Sequence, residues 1–233
     1  MVRTAQVFDR LVPPLINQTD TTANPPTPII NTMNLTKTFT RMALSVAAAA
    51  LLTTIASADD FKMESGFVSL TNGKDLGGWG YKDATGRVAA FAGKTDASDG
   101  RYTAKDGMIV VNPFDPAKGP HLQQLWTTRE FPKNFHLKLE FRAAVNADSG
   151  IFLRKPQLQC RDYLVAGPYK QLQKYRAQDW NEVEVIVKDN VAHCTCNGEV
   201  LEAALKLPDT GSIGLEADRG QMEYRRIRLK ELP

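Results

Sequence analysis

From Phe67 onward, apolar and polar residues alternate over short runs, and Gly, Asn, Asp or Pro separates one run from the next. A period of two puts successive side chains on opposite faces of an extended chain, so each run reads as a strand with one buried face. Phe135, Leu137, Leu139 and Phe141 alternate with His136, Lys138, Glu140 and Arg142. Val183, Val185 and Val187 alternate with Glu182, Glu184 and Lys188; Asp189-Asn190 then offers a tight turn into Val191 to Asn197, which predicts a hairpin. Asn197-Gly198 predicts the next turn, Ile213 to Ala217 a further strand and Met222 to Leu229 a closing one. Gly86 to Gly100 and Asn112 to Gly119 read as surface loops. There is no long helical period and no repeat of fixed length, so the pattern predicts an all-β antiparallel sandwich rather than an α/β fold.

The amino-terminal part departs from this pattern. Residues 1–32 are polar, carry Pro13, Pro14, Pro25, Pro26 and Pro28, and lack apolar periodicity, the composition of a disordered or mis-annotated extension. From Met33, Lys37 and Arg41 precede an apolar run from Met42 to Ile55, and small Ala56-Ser57-Ala58 stands before Asp59. These are the three parts of a secretory signal peptide, so residues 33–58 are expected to be removed, with Met33 as the natural start. A membrane-spanning helix needs about 20 apolar residues, more than this Ala-rich run supplies. The expected product is a single domain, residues 59–233, exported to the periplasm or secreted, with no membrane span after processing.

Setting that segment aside changes the charge picture. The whole chain has a formal charge of +3, but Arg3, Arg10, Lys37 and Arg41 outnumber Asp9 and Asp20 ahead of Asp59. The remainder is close to neutral and has no basic cluster interleaved with aromatics, which argues against nucleic acid as a partner. Cys160, Cys194 and Cys196 are an odd set of thiols. Export would permit a disulfide from Cys160 to Cys194 or Cys196, and buried free thiols are the alternative. Cys-x-Cys alone lacks the four-ligand spacing of a zinc site. The chain has no Gly-x-Ser-x-Gly elbow, phosphate loop, dinucleotide fingerprint or His-Glu-x-x-His helix. His136 and His193 occupy alternating strand positions, whereas His121 enters a Pro-bounded loop and is the histidine best placed for function.

The most informative block is Asp148-Ser149-Gly150-Ile151-Phe152-Leu153-Arg154, followed by a strand with Gln159 and Asp162. It resembles the 3-keto-disaccharide hydrolase domain family. Phe67 to Leu76 with Gly78-Trp79, Lys105 to Ile109, Phe135 to Arg142, Asp179-Trp180-Asn181, Asn197-Gly198, and Ile213 to Asp218 through Tyr224 to Arg228 resemble further motifs of that family, in its order. The resemblance implies a concanavalin-like jelly-roll β-sandwich and action on glycosides whose sugar carries a ketone at C3. The ketone acidifies the hydrogen on C2, so a base removes it, the glycosidic oxygen leaves C1, and water adds to the enone. The sum is hydrolysis without the oxocarbenium route of ordinary glycosidases.

Such chemistry needs a base and a positive or hydrogen-bonding group at the enolate oxygen. Asp148, Asp162, Glu216 and Asp218 are the candidate bases; Arg154, Arg161 and His121 are the candidate electrophilic partners. Gln157, Gln159, Arg161 and Tyr163 alternate along one expected strand face and suit sugar hydroxyls. Trp79, Tyr81, Trp126 and Trp180 are candidates to stack on a pyranose, with Trp180 equally suited to a core. Three positions depart from the family pattern: Glu216 replaces a frequent Gln, Gln157 a frequent Glu, and Asp148 an Asn. The sequence requires no cofactor; a divalent cation would fit where carboxylates converge, but no fixed spacing demands one. The expected partner is a 3-keto-glycoside, and the alternative function is a non-catalytic, lectin-like carbohydrate-binding module. A structural or cell-surface domain, with its polar strand face turned to solvent, is a third reading.

Overall fold

The computed structural model describes residues 61–115, 117, 123–165 and 167–233. The expected extension, signal peptide and cleavage site, and His121, lie outside the described residues. Turn chemistry sets where the hairpins close. β4 (Tyr102–Lys105) and β5 (Met108–Val111) meet at Asp106-Gly107, where φ is 51° and 77°. β10 (Asn181–Lys188) turns into β11 (Val191–Cys196) at Asp189-Asn190, with φ of 49° and 61°. Asn197-Gly198, at 49° and 79°, leads into β12 (Glu199–Lys206). Two consecutive positive φ values give the turn twist that strand pairs favour, and Asn, Asp and Gly tolerate them best.

The remaining strands are β1 (Val68–Ser69), β2 (Trp79–Lys82), β3 (Val88–Ala90), β6 (Leu125–Glu130), β7 (Phe135–Ala143), β8 (Asp148–Leu153), β9 (Gln157–Arg161), β13 (Ser212–Leu215) and β14 (Met222–Glu231). They form two antiparallel sheets. One runs β12-β11-β10-β7-β14-β5-β4, with β1 pairing on β14; the other runs β3-β2-β6-β13-β8-β9. There is no α-helix among the described residues. This is the all-β sandwich that the alternation predicts. One expected loop is partly strand: Val88–Ala90 pairs with β2 and Phe91 is buried behind it. Its small side chains give no large apolar alternation to read.

The core fills the space between the sheets. Phe135, Leu137, Leu139, Phe141, Val183, Val185 and Val187 face Ile151, Leu153, Leu158, Ile213 and Leu215, all fully buried. Cys160, Cys194 and Cys196 are free and buried among them, and burial pushes the Cys194 and Cys196 thiols up to about 12. A bulge in β14 between Arg225 and Arg228 aims Arg225 and Arg226 together at Glu140. That arrangement neutralises charge on the outer face of the eight-stranded sheet, while Tyr224 and Ile227 both stay inside.

Candidate active site

Alternation fixes which side chains the six-stranded sheet turns outward. Ser149, Ile151, Leu153, Leu158, Cys160, Ile213 and Leu215 point into the core, so their neighbours Asp148, Gly150, Phe152, Gln157, Gln159, Arg161, Gly214 and Glu216 point out. The register lines these into rows across the strands. Gly80, Trp126, Gly214, Phe152 and Gln157 form one row. The next row holds Glu216 and Gln159 on either side of Gly150, whose carbonyl accepts the Glu216 N–H at 2.9 Å. In a third row Asp148 pairs with Arg161.

Glycines let larger side chains lie close against this surface. Trp126 lies flat across Gly214, where a Cβ would stand 2.7 Å from the indole Cε3. Phe152 packs beside that indole at 5.1 Å, and the Lys82 ammonium sits 3.5 Å from its ring centre. Gln157 leans over Gly150 and its amide donates to the Glu216 carboxylate. An aromatic wall thus stands beside a carboxylate, two amides and an ion pair, the mixture that recognises a sugar ring by stacking and its hydroxyls by hydrogen bonds.

Electrostatics single out Glu216. Burial raises its pKa above the usual carboxylate range, the Asp218 charge raises it further, and the Gln157 amide and Arg161 offset part of the rise. A base whose pKa has moved toward neutrality is suited to proton transfer. Its backbone is gripped from behind. The Ser149 hydroxyl donates to the Glu216 carbonyl at 2.7 Å and accepts from the Tyr224 hydroxyl at 2.7 Å. The Tyr102 hydroxyl lies 2.7 Å from the Leu215 carbonyl, and the Arg101 Nη2–H donates to the Asp218 carbonyl at 2.9 Å. These core polar groups hold the chain where β13 leaves its ladder.

The structure brings Asp148, Gln157, Gln159, Arg161 and Glu216 onto one face, with Asp218 close enough for its charge to act on Glu216. Arg161 also donates to the Gly167 carbonyl at 2.7 Å, and Arg219 lies 3.8 Å from Asp148. Six other candidates are elsewhere. Tyr81 is buried against Phe91 and Tyr102, and Trp180 lies under Arg142 and Arg225 of the eight-stranded sheet. Trp79 is fully buried and its indole N–H donates to the Leu70 carbonyl at 2.7 Å. Tyr163 is fully buried too, because β9 ends at Arg161 and the chain turns inward; its hydroxyl donates to the Gln159 carbonyl. Asp162, 2% exposed, accepts the Asn146 N–H at 3.0 Å and anchors the turn between β7 and β8. Arg154 stands past the opposite end of β8 in a left-handed conformation (φ 62°), donating to Asn190, the Pro208 carbonyl and the Lys133 carbonyl at 2.7, 2.7 and 2.8 Å. It ties loops together and is remote from the outward rows. Lys82, Phe152 and Gly214 are the contributors that sequence reading missed. Phe152 was legible as the next outward position after Gly150; Lys82 becomes legible only with the register. Among the described residues, no group of three or more His, Cys, Asp or Glu side chains could hold a metal ion.

Two packed antiparallel sheets define a concanavalin-like β-sandwich. The chain belongs to the 3-keto-α-glucoside-1,2-lyase-like domain family, whose profile matches residues 66–230. Among solved structures it is similar to a candidate glycosyl hydrolase of Parabacteroides distasonis ATCC 8503, at 16% identity and a TM-score of 0.53, over 72% of this chain and 94% of that one. A second candidate glycosyl hydrolase of that organism aligns at 17% identity and a TM-score of 0.46, over 56% and 90%. The carbohydrate-binding module CBM66 of Bacillus subtilis aligns at 7% identity and a TM-score of 0.40, over 67% and 97%. The comparison with curated proteins returned no match. Family membership gives the chain a carbohydrate-related function.

Proposed function

We propose that this protein is an exported enzyme that cleaves the glycosidic bond of 3-keto-glycosides on the outer face of its six-stranded sheet. The observation that carries the reading is Glu216, a partly buried carboxylate with a raised pKa, held by Gln157 and flanked by Trp126 and Phe152. In this reading the keto-sugar lies against Phe152, next to the Lys82-covered Trp126, and Gln157 and Gln159 hold its hydroxyls. Glu216 removes the proton from C2. The electron pair of the C2–H bond forms a C2–C3 double bond, and the ketone π pair moves to its oxygen. Collapse of that enolate restores the ketone, forms a C1–C2 double bond and expels the glycosidic oxygen, which takes up a proton. Water then adds its oxygen to C1 and a hydrogen to C2, giving net hydrolysis.

Glu216 must be ionised to act as the base, so its upward shift places the acidic limb of the rate profile above that of an ordinary glutamate. The test is to incubate the domain with a 3-keto-disaccharide, with and without added divalent metal, and follow free sugar. Wild type should release sugar and Glu216→Gln should lose at least about 100-fold in kcat. Saturable binding without release would favour the lectin-like alternative, and absence of both would remove the sugar reading.

A further inference from the structure

Taking the C2 proton leaves negative charge on the C3 oxygen, and a base alone does not stabilise it; a preorganised donor or cation at that oxygen is commonly the larger contribution. The two arginines that the sequence offers for this are committed elsewhere. Arg154 donates to three groups at the far end of β8. Arg161 pairs with Asp148 and donates to the Gly167 carbonyl.

Lys82 is placed differently. It is the last residue of β2, and the pairings of Gly80 with Trp126 and of Leu215 with Leu125, continued past the ends of β6 and β13, put Lys82 in register with Gln124 and Glu216. Adjacent strands lie about 4.8 Å apart, so the backbones of Lys82 and Glu216 are roughly 10 Å apart on the same face. Two long side chains at that separation can reach a six-membered ring from either side. The Lys82 ammonium rests 3.5 Å from the centre of the Trp126 ring and makes no ion pair among the described residues. An aromatic face holds a cation in place without neutralising it, leaving its N–H groups free to donate. Partial desolvation lowers its pKa, the Glu130 charge offsets part of that, and the net lowering lets it donate more readily to a developing oxyanion.

We infer that Lys82 is the electrophilic residue of this site, donating to the C3 oxygen of the keto-sugar while Glu216 takes the C2 proton. This inference rests on the function proposed above and adds the second group that the reaction needs. No new bond to Lys82 forms. Its N–H hydrogen-bonds the oxygen that receives the ketone π pair, and that interaction weakens again when the pair returns and the C1–O bond breaks.

Exchange of the C2 hydrogen for deuterium reports the deprotonation half-reaction by itself. A 3-keto-glycoside in D2O is followed by proton NMR for loss of the C2 signal, and sugar release is measured in parallel, for wild type, Lys82→Met and Lys82→Arg. Lys82→Met should slow both exchange and release by about 100- to 1,000-fold with KM changed only a few-fold. Lys82→Arg, which keeps a cationic donor, should recover at least about a tenth of the wild-type rate. Thermal midpoints of the variants, matched to wild type, separate chemistry from misfolding. If Lys82→Met exchanges within about threefold of wild type, or only its KM rises, Lys82 is not the electrophile and merely covers Trp126. A wild type that neither exchanges nor releases instead overturns the parent reading, so the two failures are distinguishable.

Discussion

Gly150 offers a perturbation whose consequence can be worked out from the coordinates. Its φ lies outside the left-handed region, so alanine suits the backbone, but the added Cβ would stand 2.6 Å from Cγ and 2.8 Å from Cδ of Gln157. The glutamine must swing away and its amide must leave Glu216. A hydrogen bond to a charged group contributes about 1.5–3 kcal/mol, and each pKa unit corresponds to about 1.4 kcal/mol, which sets an upper range of about 1–2 units. Water reaches Glu216 and replaces part of the lost bond, so an increase of about 0.5–1 unit is expected. The sign follows from the state the amide favours. It stabilises the carboxylate, so its loss raises a pKa that burial and Asp218 already hold up. Gly150→Ala and Gln157→Ala should both move the acidic limb of kcat/KM to higher pH. Below the limb their rates, relative to wild type, should fall a further factor of about 3- to 10-fold beyond any pH-independent loss from the missing Gln157 contact. The assay is a pH profile of 3-keto-disaccharide cleavage for all three proteins. Active variants with an unmoved limb would refute Glu216 as the base tuned by Gln157.

Other outcomes follow from the same geometry. Glu216→Gln should raise the thermal midpoint at neutral pH, because the raised carboxyl pKa contributes stability only while protonated and that contribution is lost as pH rises through it; wild type and variant should converge in acid, as read by calorimetry. Arg154→Ala should destabilise the fold by about 3 kcal/mol in urea unfolding, from three lost charged hydrogen bonds, and leave the specific activity of the folded protein within about twofold. Arg228 holds the Glu64 carboxyl down at about 2, so Glu64 contributes stability above the usual glutamate range that is lost as pH falls toward 2; Glu64→Gln should cost about 1 kcal/mol at pH 7 and nothing near pH 2. Gly214→Ala, which drives a methyl into the Trp126 ring, should weaken sugar binding about tenfold by calorimetric titration while the fold persists.

Most of the architecture was legible because period and turn chemistry agree. The Val183–Val187 alternation and the Asp189-Asn190 turn point to the same hairpin, and the structure has it. The outward strand Gln157, Gln159 and Arg161 was legible for the same reason, but alternation gives no sign of where a strand stops. Tyr163 continues the pattern on paper; in space the chain turns after Arg161 and buries it. Trp79 lies between Gly78 and Gly80, which offer no period to orient it, and its partner at Leu70 is a backbone carbonyl that no motif encodes. Arg154 belongs to a motif that reads as functional, yet its left-handed backbone and its three acceptors come from distant loops. Lys82 could not be placed on the same face as Glu216 without knowing that β2, β6 and β13 are adjacent, which is a property of topology rather than of local sequence.

The most direct measurement is a crystal structure of the Glu216→Gln variant soaked with an intact 3-keto-glycoside. The ring should lie against Phe152, with C2 beside the substituted side chain just past β13 and the C3 oxygen toward Lys82. A sugar seated instead on the eight-stranded sheet, in the hollow lined by Arg142, Gln221 and Glu223, would contradict the assignment of the site.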